Sequence, residues 1–494
     1  MTPAVTLHPG RLHADPSRVV AQLFLPGEGV RSTRSRAAQI VDRVLELPTE
    51  QVHALARELL DEFGPRHVDT AALLQANARA VGSRVQTASP LSDDQLIVLG
   101  ATFSAEYAVE GAALCNPSAV EHPDQTGLGP GELRVALALR AIGEGHVSSV
   151  SFAEAVVGPG DAWHFTERRG PVATASVTAG HWLRSRLRAA LEHEDEVDEV
   201  TSWVLERLPP SLSSVDVERA IAALPPELLH HRDSGAALST LRDTVSSAYV
   251  AQFDPRTEPG QRVLLPAAVE EHNGMEDVRL VRFTADDGHV AYRATYTAYD
   301  GRDIAPRLIT SDDLVRFDIH RLSGPSARNK GMALFPRPVH GRHLALARTD
   351  GESISLASSV DGFIWSGETV LHVPTEAWEL VQSGNCGSPI ETDQGWLVLT
   401  HGVGPMRVYS ISAILLDLDD PSIVIARATG PLLRPEPPNQ EGYVPNVVYS
   451  CGGIVHDGRL WVPIGIGDAQ VGVFSIGLAA LLGSMQRTAA ARPG

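Results

Sequence analysis

The sequence predicts a mainly β protein, a five-bladed β-propeller with a helical region before it and a helical insertion after the first blade. Short alternating strands separated by Gly and Pro fill most of the chain after residue 256. Polar residues that begin such strands recur regularly: Asp277, Lys330, Ser388 and Asn446 are separated by 53, 58 and 58 residues. Units of about 50 residues built from short antiparallel strands are typical of propeller blades.

A similar unit begins upstream at Asn116, which brings the predicted number of blades to five. A regular β-sandwich is the competing fold. A sandwich does not explain why each unit begins with a polar residue beside Gly or Pro, whereas a propeller does. The innermost strand of each blade faces a central channel, so equivalent polar residues of all blades converge there.

Changes in residue pattern divide the chain into five predicted ranges. Residues up to about 33 lack a period and indicate an extended arm, and apolar residues at three- and four-residue spacing predict three amphipathic helices between residues 35 and 81. Strand-like patterns resume near residue 96, and the helical period returns between residues 176 and 250. The predicted ranges are 1–95 for the arm and helices, 96–175 for the first blade, 176–255 for the helical insertion, 256–485 for the remaining blades with the channel, and 486–494 for a tail.

Composition and charge limit the partners that this chain can have. No apolar run approaches the ~20 residues that span a bilayer, and the first residues lack the basic and apolar segments of a signal peptide, so we expect a cytoplasmic protein. The formal charge of −19 argues against a nucleic-acid or anionic-membrane partner, because such partners require clustered Lys and Arg. We expect the amphipathic helices to form a lid or a homo-oligomer contact beside the channel.

The cysteines and histidines indicate neither a metal nor a cofactor. Cys115, Cys386 and Cys451 are far apart and form no Cys-x-x-Cys pair, so we expect packed thiols rather than disulfides. The nineteen His residues include no His-x-x-x-His or His-Glu-x-x-His spacing. We therefore assign no metal and no organic cofactor.

Residues 273–283, a polar turn that leads into an alternating strand, contain our candidate catalytic residue, Asp277. Alternation along a strand puts Glu276 and Asp277 on opposite faces, so only one of them is expected to point into a given cavity. The repeat predicts that a set of acidic, basic and amide side chains shares this cavity: Asn116, Asp277, Lys330, Glu391 and Asn446 from the first strands, with Arg140, Arg348 and His401 from the second strands. Such a mixture suits a polyhydroxylated or anionic ligand.

Six motifs that occur in a fixed order resemble glycoside hydrolase family 130, the β-mannoside phosphorylases and β-1,2-mannosidases. The motifs are Asn116-Pro-Ser-Ala, Glu276-Asp277-Val-Arg279, Asn329-Lys330-Gly-Met-Ala-Leu-Phe-Pro336, Gly395-Trp-Leu-Val-Leu-Thr-His401, Ala413-Ile-Leu-Leu-Asp-Leu-Asp-Asp-Pro421 and Tyr443-Val-Pro-Asn446. The resemblance covers about residues 116–482 without the insertion, and it implies the same five-bladed propeller.

The resemblance implies an enzyme that cleaves terminal β-mannosides of manno-oligosaccharides with inversion, with inorganic phosphate as co-substrate and mannose 1-phosphate as product. Asp277 takes the place of the general acid, which requires a carboxyl kept protonated near neutrality by partial burial and nearby negative charge. Two further sets of residues follow from motif position: Lys330, Arg348 and His401 for phosphate, and Asn116, Arg140, Ser148, Ser149, Asn446 and Asp468 for the sugar.

One departure from the family pattern leaves two alternatives open. Glu391 stands where the family usually has Lys, and a carboxylate facing the phosphate site would repel a dianion. Glu391 could instead act as the base of an inverting hydrolase, provided that its carboxyl lies about 6.5–9.5 Å from that of Asp277. The retained Arg348 favours the phosphorylase. A propeller that binds glycans or proteins without catalysis is the remaining alternative, and the intact acid motif argues against it.

Overall fold

The computed structural model describes residues 4–26, 36–82, 90–160, 162–194, 196–229, 234–437 and 440–488. The chain forms two compact units. The smaller unit comprises Asp15–Gly111 and Arg168–Thr174, and the larger unit comprises Met1–Ala14, Ala112–Glu167 and Ala175–Gly494.

Four helices and one strand pair form the smaller unit. The first two strands of the chain, β1 (Thr6–Leu7) and β2 (Leu12–His13), belong to the larger unit, and β3 (Val19–Leu23) is the first strand of the smaller unit. The helices α1 (Arg36–Leu45), α2 (Thr49–Phe63), α3 (Thr70–Gly82) and α4 (Asp93–Thr102) follow, and then β4 (Ser104–Ala108) pairs antiparallel with β3. The helices bury a common apolar core, as the spacing of Leu, Val and Ala predicts.

The strand-like pattern predicted from residue 96 is wrong for α4. A capping box begins this helix: the Ser92 hydroxyl accepts from the Gln95 backbone N–H at 3.2 Å, and the Gln95 side chain accepts from the Ser92 N–H at 3.0 Å. Gly100 lets α4 pack closely on α3, because a Cβ at that position would lie 1.8 Å from the Leu74 carbonyl oxygen.

The first blade and the insertion follow in the larger unit. Blade 1 contains β5 (Ala113–Glu121), β6 (Leu133–Ile142), β7 (Ser148–Gly158) and β8 (Ala162–Phe165). The strand β9 (Ala173–Thr174) belongs to the smaller unit. In the larger unit, β10 (Ser176–Ala179) and β11 (Trp182–Leu183) lead to the helices of the insertion, which contains α5 (Arg184–His193), α6 (Glu199–Arg207), β12 (Ser211–Leu212), α7 (Ser214–Ala222), α8 (Pro226–Leu229) and α9 (Ser234–Ser246). The insertion helices pack around an apolar core of their own.

The two ends of the predicted insertion are strands rather than helices. The strand β13 (Tyr249–Gln252) pairs with β10, and β14 (Arg262–Leu264) pairs with β7.

Blade 2 contains β15 (Gly274–Thr284), β16 (Val290–Tyr299), β17 (Ile304–Ser311) and β18 (Arg316–Arg321). Because β13 also pairs with β18, β13 and β10 extend the outer edge of this blade.

Blades 3 to 5 complete the chain. Blade 3 contains β19 (Ala333–Leu334), β20 (His343–Ala347), β21 (Ile354–Ser359) and β22 (Ser366–His372). Blade 4 contains β23 (Gln382–Asn385), β24 (Ile390–Thr392), β25 (Gly395–Val403), β26 (Tyr409–Leu416) and β27 (Val424–Arg427). Blade 5 contains β28 (Val448–Tyr449), β29 (Ile454–His456), β30 (Arg459–Ile466) and β31 (Gln470–Gly477), followed by α10 (Leu478–Ser484) and β32 (Gln486–Arg487), which pairs with β27. Single 3-10 turns occupy Gly64–Arg66, Glu144–His146, Pro259–Gln261, Val269–Glu271 and Pro405–Arg407.

The predicted mainly β fold is confirmed, and contacts between successive blades, and between the last blade and the first, agree with the predicted propeller. β5 contacts β15, β16 contacts β19, β21 contacts β23, β26 contacts β28, and β30 contacts β5. The predicted N-terminal arm takes part in the propeller, because β1 and β2 both pair with β31 and supply the outer edge of blade 5. The sequence pattern missed this pairing, since strands of two residues are too short to show alternation.

Antiparallel pairing decides which residues meet at one end of the propeller. The start of the first strand of a blade lies beside the end of its second strand. In blade 1 Cys115 pairs with Arg140, and in blade 4 Gly384 pairs with His401. Side chains from these two positions of each blade therefore converge.

The structure also bears on two expectations from the sequence, which concern the state of the cysteines and the presence of membrane-spanning helices. Cys115, Cys386 and Cys451 are buried free thiols, and burial raises the pKa of each. None of the helices that the structure describes is long and apolar enough to cross a membrane. Assembly into homo-oligomers stays a prediction.

A buried carboxylate anchors the turn that precedes β15, the strand that contains Asp277. Glu271, which is 0% exposed, accepts hydrogen bonds from the Ala267 N–H at 2.8 Å, the Ala268 N–H at 3.1 Å and the Tyr249 hydroxyl at 3.0 Å. The Tyr296 hydroxyl donates to it as well. These bonds tie the turn at residues 269–271 to β13 and β16, and β15 begins three residues later.

We predict that Glu271→Leu lowers the free energy of unfolding by about 3–5 kcal/mol, because it leaves several buried donors without an acceptor. Tryptophan fluorescence during urea unfolding measures the change, since all seven Trp residues belong to the larger unit. Glu391→Gln is the matched control, because that carboxylate is 39% exposed and its ion pair should contribute no more than about 1 kcal/mol. Equal losses in both variants would contradict the prediction.

Candidate active site

A cavity of about 490 Å³ opens where the starts of the first strands meet the ends of the second strands. Eight of the eleven predicted site residues line it: Asn116, Arg140, Asp277, Lys330, Arg348, His401, Asn446 and Asp468. They come from all five blades. The structure thus brings together side chains that are up to 352 residues apart in the chain.

Two β-bulges present the central side chains. The pairing of β15 with β16 skips at Asp277, and the pairing of β5 with β6 skips at Asn116. Both residues adopt a left-handed backbone, with φ of 57° and 48°, which Asp and Asn tolerate better than most residues. Because a bulge interrupts alternation, Glu276 and Asp277 both line the cavity. The prediction that only one of the two could do so is wrong.

The two carboxylates have different partners. Glu276 is held between Arg140 Nη2, at 2.7 Å, and Lys330 Nζ, at 2.5 Å. Asp277 accepts a hydrogen bond from Asn116 Nδ2 at 2.5 Å, and its Oδ1 lies 3.5 Å from Arg140 Nη1. Asp277 therefore stands among cations and a neutral donor.

Arg279 forms the floor of the cavity, and the sequence analysis assigned it no role. It is 1% exposed and donates from Nη1 to the Asp277 carbonyl at 2.8 Å, from Nε to the Cys386 carbonyl at 3.0 Å and from Nη2 to the Tyr449 hydroxyl at 2.9 Å. The visible signal was an Arg inside an apolar strand, where a charge requires buried partners. Gln382, Tyr409 and Tyr449 also line the cavity and were likewise missed.

The charge state of Asp277 differs from the expectation. Burial opposes ionisation, but the guanidinium groups of Arg140 and Arg279, the hydrogen bond from Asn116 and the Lys330 ammonium outweigh it, so the pKa of Asp277 is lowered. A lowered pKa leaves Asp277 ionised near neutrality. This direction is opposite to the expectation of a carboxyl that stays protonated near neutrality.

The pKa of Asp468 is shifted in the opposite direction to that of Asp277. Burial raises its pKa to about 6, against the attraction of Arg140 and with the repulsion of Asp277. Its Oδ1 is buried without a hydrogen-bond partner among the described residues. A ligand hydroxyl or a proton would satisfy this oxygen.

The basic residues predicted to bind phosphate line the same cavity. Burial, followed by the charges of Arg348 and Arg279, lowers the pKa of His401 well below its usual range, so its imidazole is neutral. His401 Nδ1 and Arg348 Nε are buried, and neither has a partner in the described part of the chain. Only glycine fits beside them at position 384, because a Cβ there would lie 2.5 Å from His401 Cε1 and 2.7 Å from Arg348 Nε.

Ser148 and Ser149 are close to the site but do not line the cavity. The Ser148 hydroxyl accepts from Arg140 Nε at 2.9 Å, so Ser148 orients a cavity residue from behind. Ser149 is 1% exposed, and its hydroxyl lacks a partner among the residues that the structure describes.

Glu391 lies elsewhere, which corrects the predicted second catalytic residue. The first strand of blade 4 is interrupted: β23 pairs with the end of β25, whereas β24, which contains Glu391, pairs with its beginning. Glu391 accepts two hydrogen bonds from Arg337, at 2.6 and 2.8 Å, and lines a separate cavity of about 340 Å³. The repeat alignment failed in blade 4, because Ser388 and Glu391 line the separate cavity, whereas Gln382 lines the candidate active-site cavity.

Within the described ranges no group of three or more His, Cys, Asp or Glu residues is placed to hold a metal ion. The cavity instead combines cationic, anionic and amide groups. Such a set can bind a polyhydroxylated ligand together with an anion.

Comparison with known proteins agrees with this chemistry. The model of glycoside hydrolase family 130, described as beta-1,4-mannooligosaccharide phosphorylase, matches residues 253–487. A 1,2-beta-oligomannan phosphorylase of Thermoanaerobacter sp. (strain X514) is 37% identical over 211 residues, which are 41% of this chain and 68% of that protein. A beta-1,2-mannobiose phosphorylase of the same strain is 34% identical over 215 residues, 43% of this chain and 69% of that protein.

Among solved structures, the beta-1,2-mannobiose phosphorylase from Listeria innocua in complex with beta-1,2-mannobiose aligns with a TM-score of 0.45 and 20% identity over 77% of this chain and 93% of that chain. The assignment of this chain to a family depends on its similarity in sequence to these relatives. Identity of 37% over about two thirds of a relative's length shows that this chain belongs to glycoside hydrolase family 130.

Proposed function

We propose that this protein is an inverting β-mannoside phosphorylase, which cleaves the terminal mannosidic bond of a manno-oligosaccharide with inorganic phosphate and releases mannose 1-phosphate. Two relatives that share more than a third of the aligned residues are named as phosphorylases of β-1,2-linked mannosides. A β-1,2-linked substrate is therefore the first to test.

The observation that carries this proposal is the group of nitrogen atoms at the cavity wall. Arg348 Nε and His401 Nδ1 are buried without partners in the part of the chain that the structure describes. Lys330 lies at the same cavity with a side chain that is 41% exposed. Donors of this kind bind phosphate oxygens well, and a bound phosphate would satisfy the orphaned atoms.

In the proposed reaction a phosphate oxygen attacks the anomeric carbon as the glycosidic C–O bond breaks on the opposite face. The leaving oxygen takes a proton from Asp277, directly or through a hydroxyl of the bound mannose. Because its pKa is lowered, Asp277 must gain a proton before it can act as the acid. The negative charge of phosphate offsets the cations that lower the pKa of Asp277, so phosphate binding favours the protonated acid.

The other cavity residues suit the mannosyl unit. Asn116 and Asn446 offer amide groups, Arg140 offers donors, and Asp468 Oδ1 offers a buried acceptor. Because mannose presents several hydroxyl groups, each of these groups can be matched by a ligand partner. This role for each residue is part of the proposal.

A hydrolase that uses Glu391 as its base has lost its support, because Glu391 lines a different cavity and is paired with Arg337. A propeller that only binds glycans has no use for a carboxylate that is surrounded by several cations, as Asp277 is. Phosphorolysis uses the carboxylate as the acid and the cations to bind phosphate.

We predict that the protein converts β-1,2-mannobiose to mannose 1-phosphate and mannose in phosphate buffer, with little free mannose formed when phosphate is absent. Asp277→Asn should lower kcat by about 10²–10⁴-fold, the usual contribution of a general acid. Coupled detection of mannose 1-phosphate measures both. Equal turnover with and without phosphate would mean hydrolysis and would contradict the proposal.

A second pair of variants tests the position of the phosphate site. Arg348→Met should raise KM for phosphate by about 10-fold or more, because it removes charged hydrogen bonds worth about 1.5–3 kcal/mol. Glu391→Lys makes the larger change of charge but lies at the other cavity, so KM for phosphate should stay within about twofold of the original value. A lower KM for phosphate in Glu391→Lys would place Glu391 at the phosphate site and refute this assignment.

Anion binding should depend on pH through Asp468, whose pKa is raised to about 6. As the pH falls through about 6, Asp468 takes up a proton and loses its negative charge, so the pocket becomes more attractive to anions. We predict that sulfate, which stays doubly charged, binds on the order of 10-fold more tightly at pH 5.5 than at pH 7.5. Calorimetric titration measures this, and Asp468→Asn should flatten the dependence; an unchanged slope in that variant would contradict the role of Asp468.

A further inference from the structure

The mouth of the active-site pocket carries exposed apolar side chains, although its interior is charged. Met406 is 87% exposed and Val444 is 39% exposed, and both line the pocket, as does exposed Pro445. At the floor, in contrast, Arg279 and His401 are each 1% exposed. Burial therefore orders the pocket from a charged floor to a partly apolar mouth.

The two loops that carry these apolar residues are held in place. The Val444 N–H donates to the Gly467 carbonyl at 2.9 Å, in the turn that carries Asp468. The Tyr409 N–H donates to the Asn446 carbonyl at 3.0 Å and joins the loops of blades 4 and 5. The apolar residues thus form a defined wall.

The loop of blade 4 also has an unusual backbone. Met406 and Arg407 both adopt left-handed φ angles, of 57° and 54°, which non-glycine residues seldom do. Such conformations cluster at ligand sites because the surrounding structure must maintain them. Here the two residues with this backbone, Met406 and Arg407, both line the pocket.

We propose that Met406, Val444 and Pro445 form the subsite for the leaving-group sugar, with Arg407 at its edge. This inference rests on the proposed phosphorolysis. The mannosyl unit must lie deeper, where phosphate held by Arg348 and His401 can reach its anomeric carbon. The sugar that departs then lies toward the mouth.

The chemistry of this wall matches a pyranose ring. A sugar ring has C–H groups on its faces and hydroxyl groups around its edge. The thioether of Met406 and the hydrocarbon surfaces of Val444 and Pro445 can cover a face, since apolar contact is not directional. The Arg407 guanidinium can donate to hydroxyl oxygens at the edge.

Reverse phosphorolysis isolates this subsite, because the acceptor sugar then binds where the leaving group would depart. In Met406→Ala we expect KM for the acceptor mannose to rise about fivefold, which corresponds to about 1 kcal/mol of lost apolar contact. KM for mannose 1-phosphate should change by less than twofold. Met406→Leu, which keeps an apolar side chain of similar volume, should restore most of the acceptor affinity.

Val360→Ala is the matched control, because Val360 is 75% exposed in the turn between β21 and β22 and lies outside the pocket lining. Both KM values should be unchanged in that variant. An unchanged acceptor KM in Met406→Ala, or a parallel rise in both KM values, would overturn the subsite. Absence of phosphorolysis in the unaltered protein would instead refute the proposed function, so the two failures can be distinguished.

Discussion

One buried guanidinium links three blades at the end of the fold that carries the candidate active site. Arg279 donates to the backbone of Asp277 in blade 2, to the carbonyl of Cys386 in blade 4 and to the hydroxyl of Tyr449 in blade 5. A buried charge is tolerated only when its donors are satisfied, so Arg279 depends on the packing of these three blades for its acceptors. The position of Asp277 consequently depends on how three blades pack.

In the same pocket, cationic and anionic side chains lie close together, and a bound ligand would change the balance between their charges. Arg140 and Lys330 hold Glu276, while Arg140 and Arg279 keep Asp277 ionised. In the proposed reaction, Asp277 gains its proton only when the surrounding positive charge is offset. Phosphate would supply that offset as well as the nucleophile, so its binding would be coupled to protonation of the acid.

The regular spacing of strands in the sequence predicted the blades. It failed to predict the positions of side chains where the backbone departs from regular strand geometry. Equal spacing of strand starts placed Asn116, Asp277, Lys330 and Asn446 in one cavity, as observed. The bulge at Asp277 broke the alternation that had separated it from Glu276. The interruption between β23 and β24 shifted the register of blade 4 and made Glu391 a mistaken candidate. The capping box at Ser92 was readable in the sequence and would have identified α4.

The sequence alone therefore determined the repeat, the family motifs and the residue types that meet at the end of the propeller. These are local or periodic properties, which the order of residues encodes directly. The tertiary structure decided the ionised state of Asp277, the exclusion of Glu391 from the pocket and the exposure of Met406 at its mouth. Burial and electrostatic interaction depend on distances between residues that are hundreds of positions apart, and those distances exist only once the blades have packed.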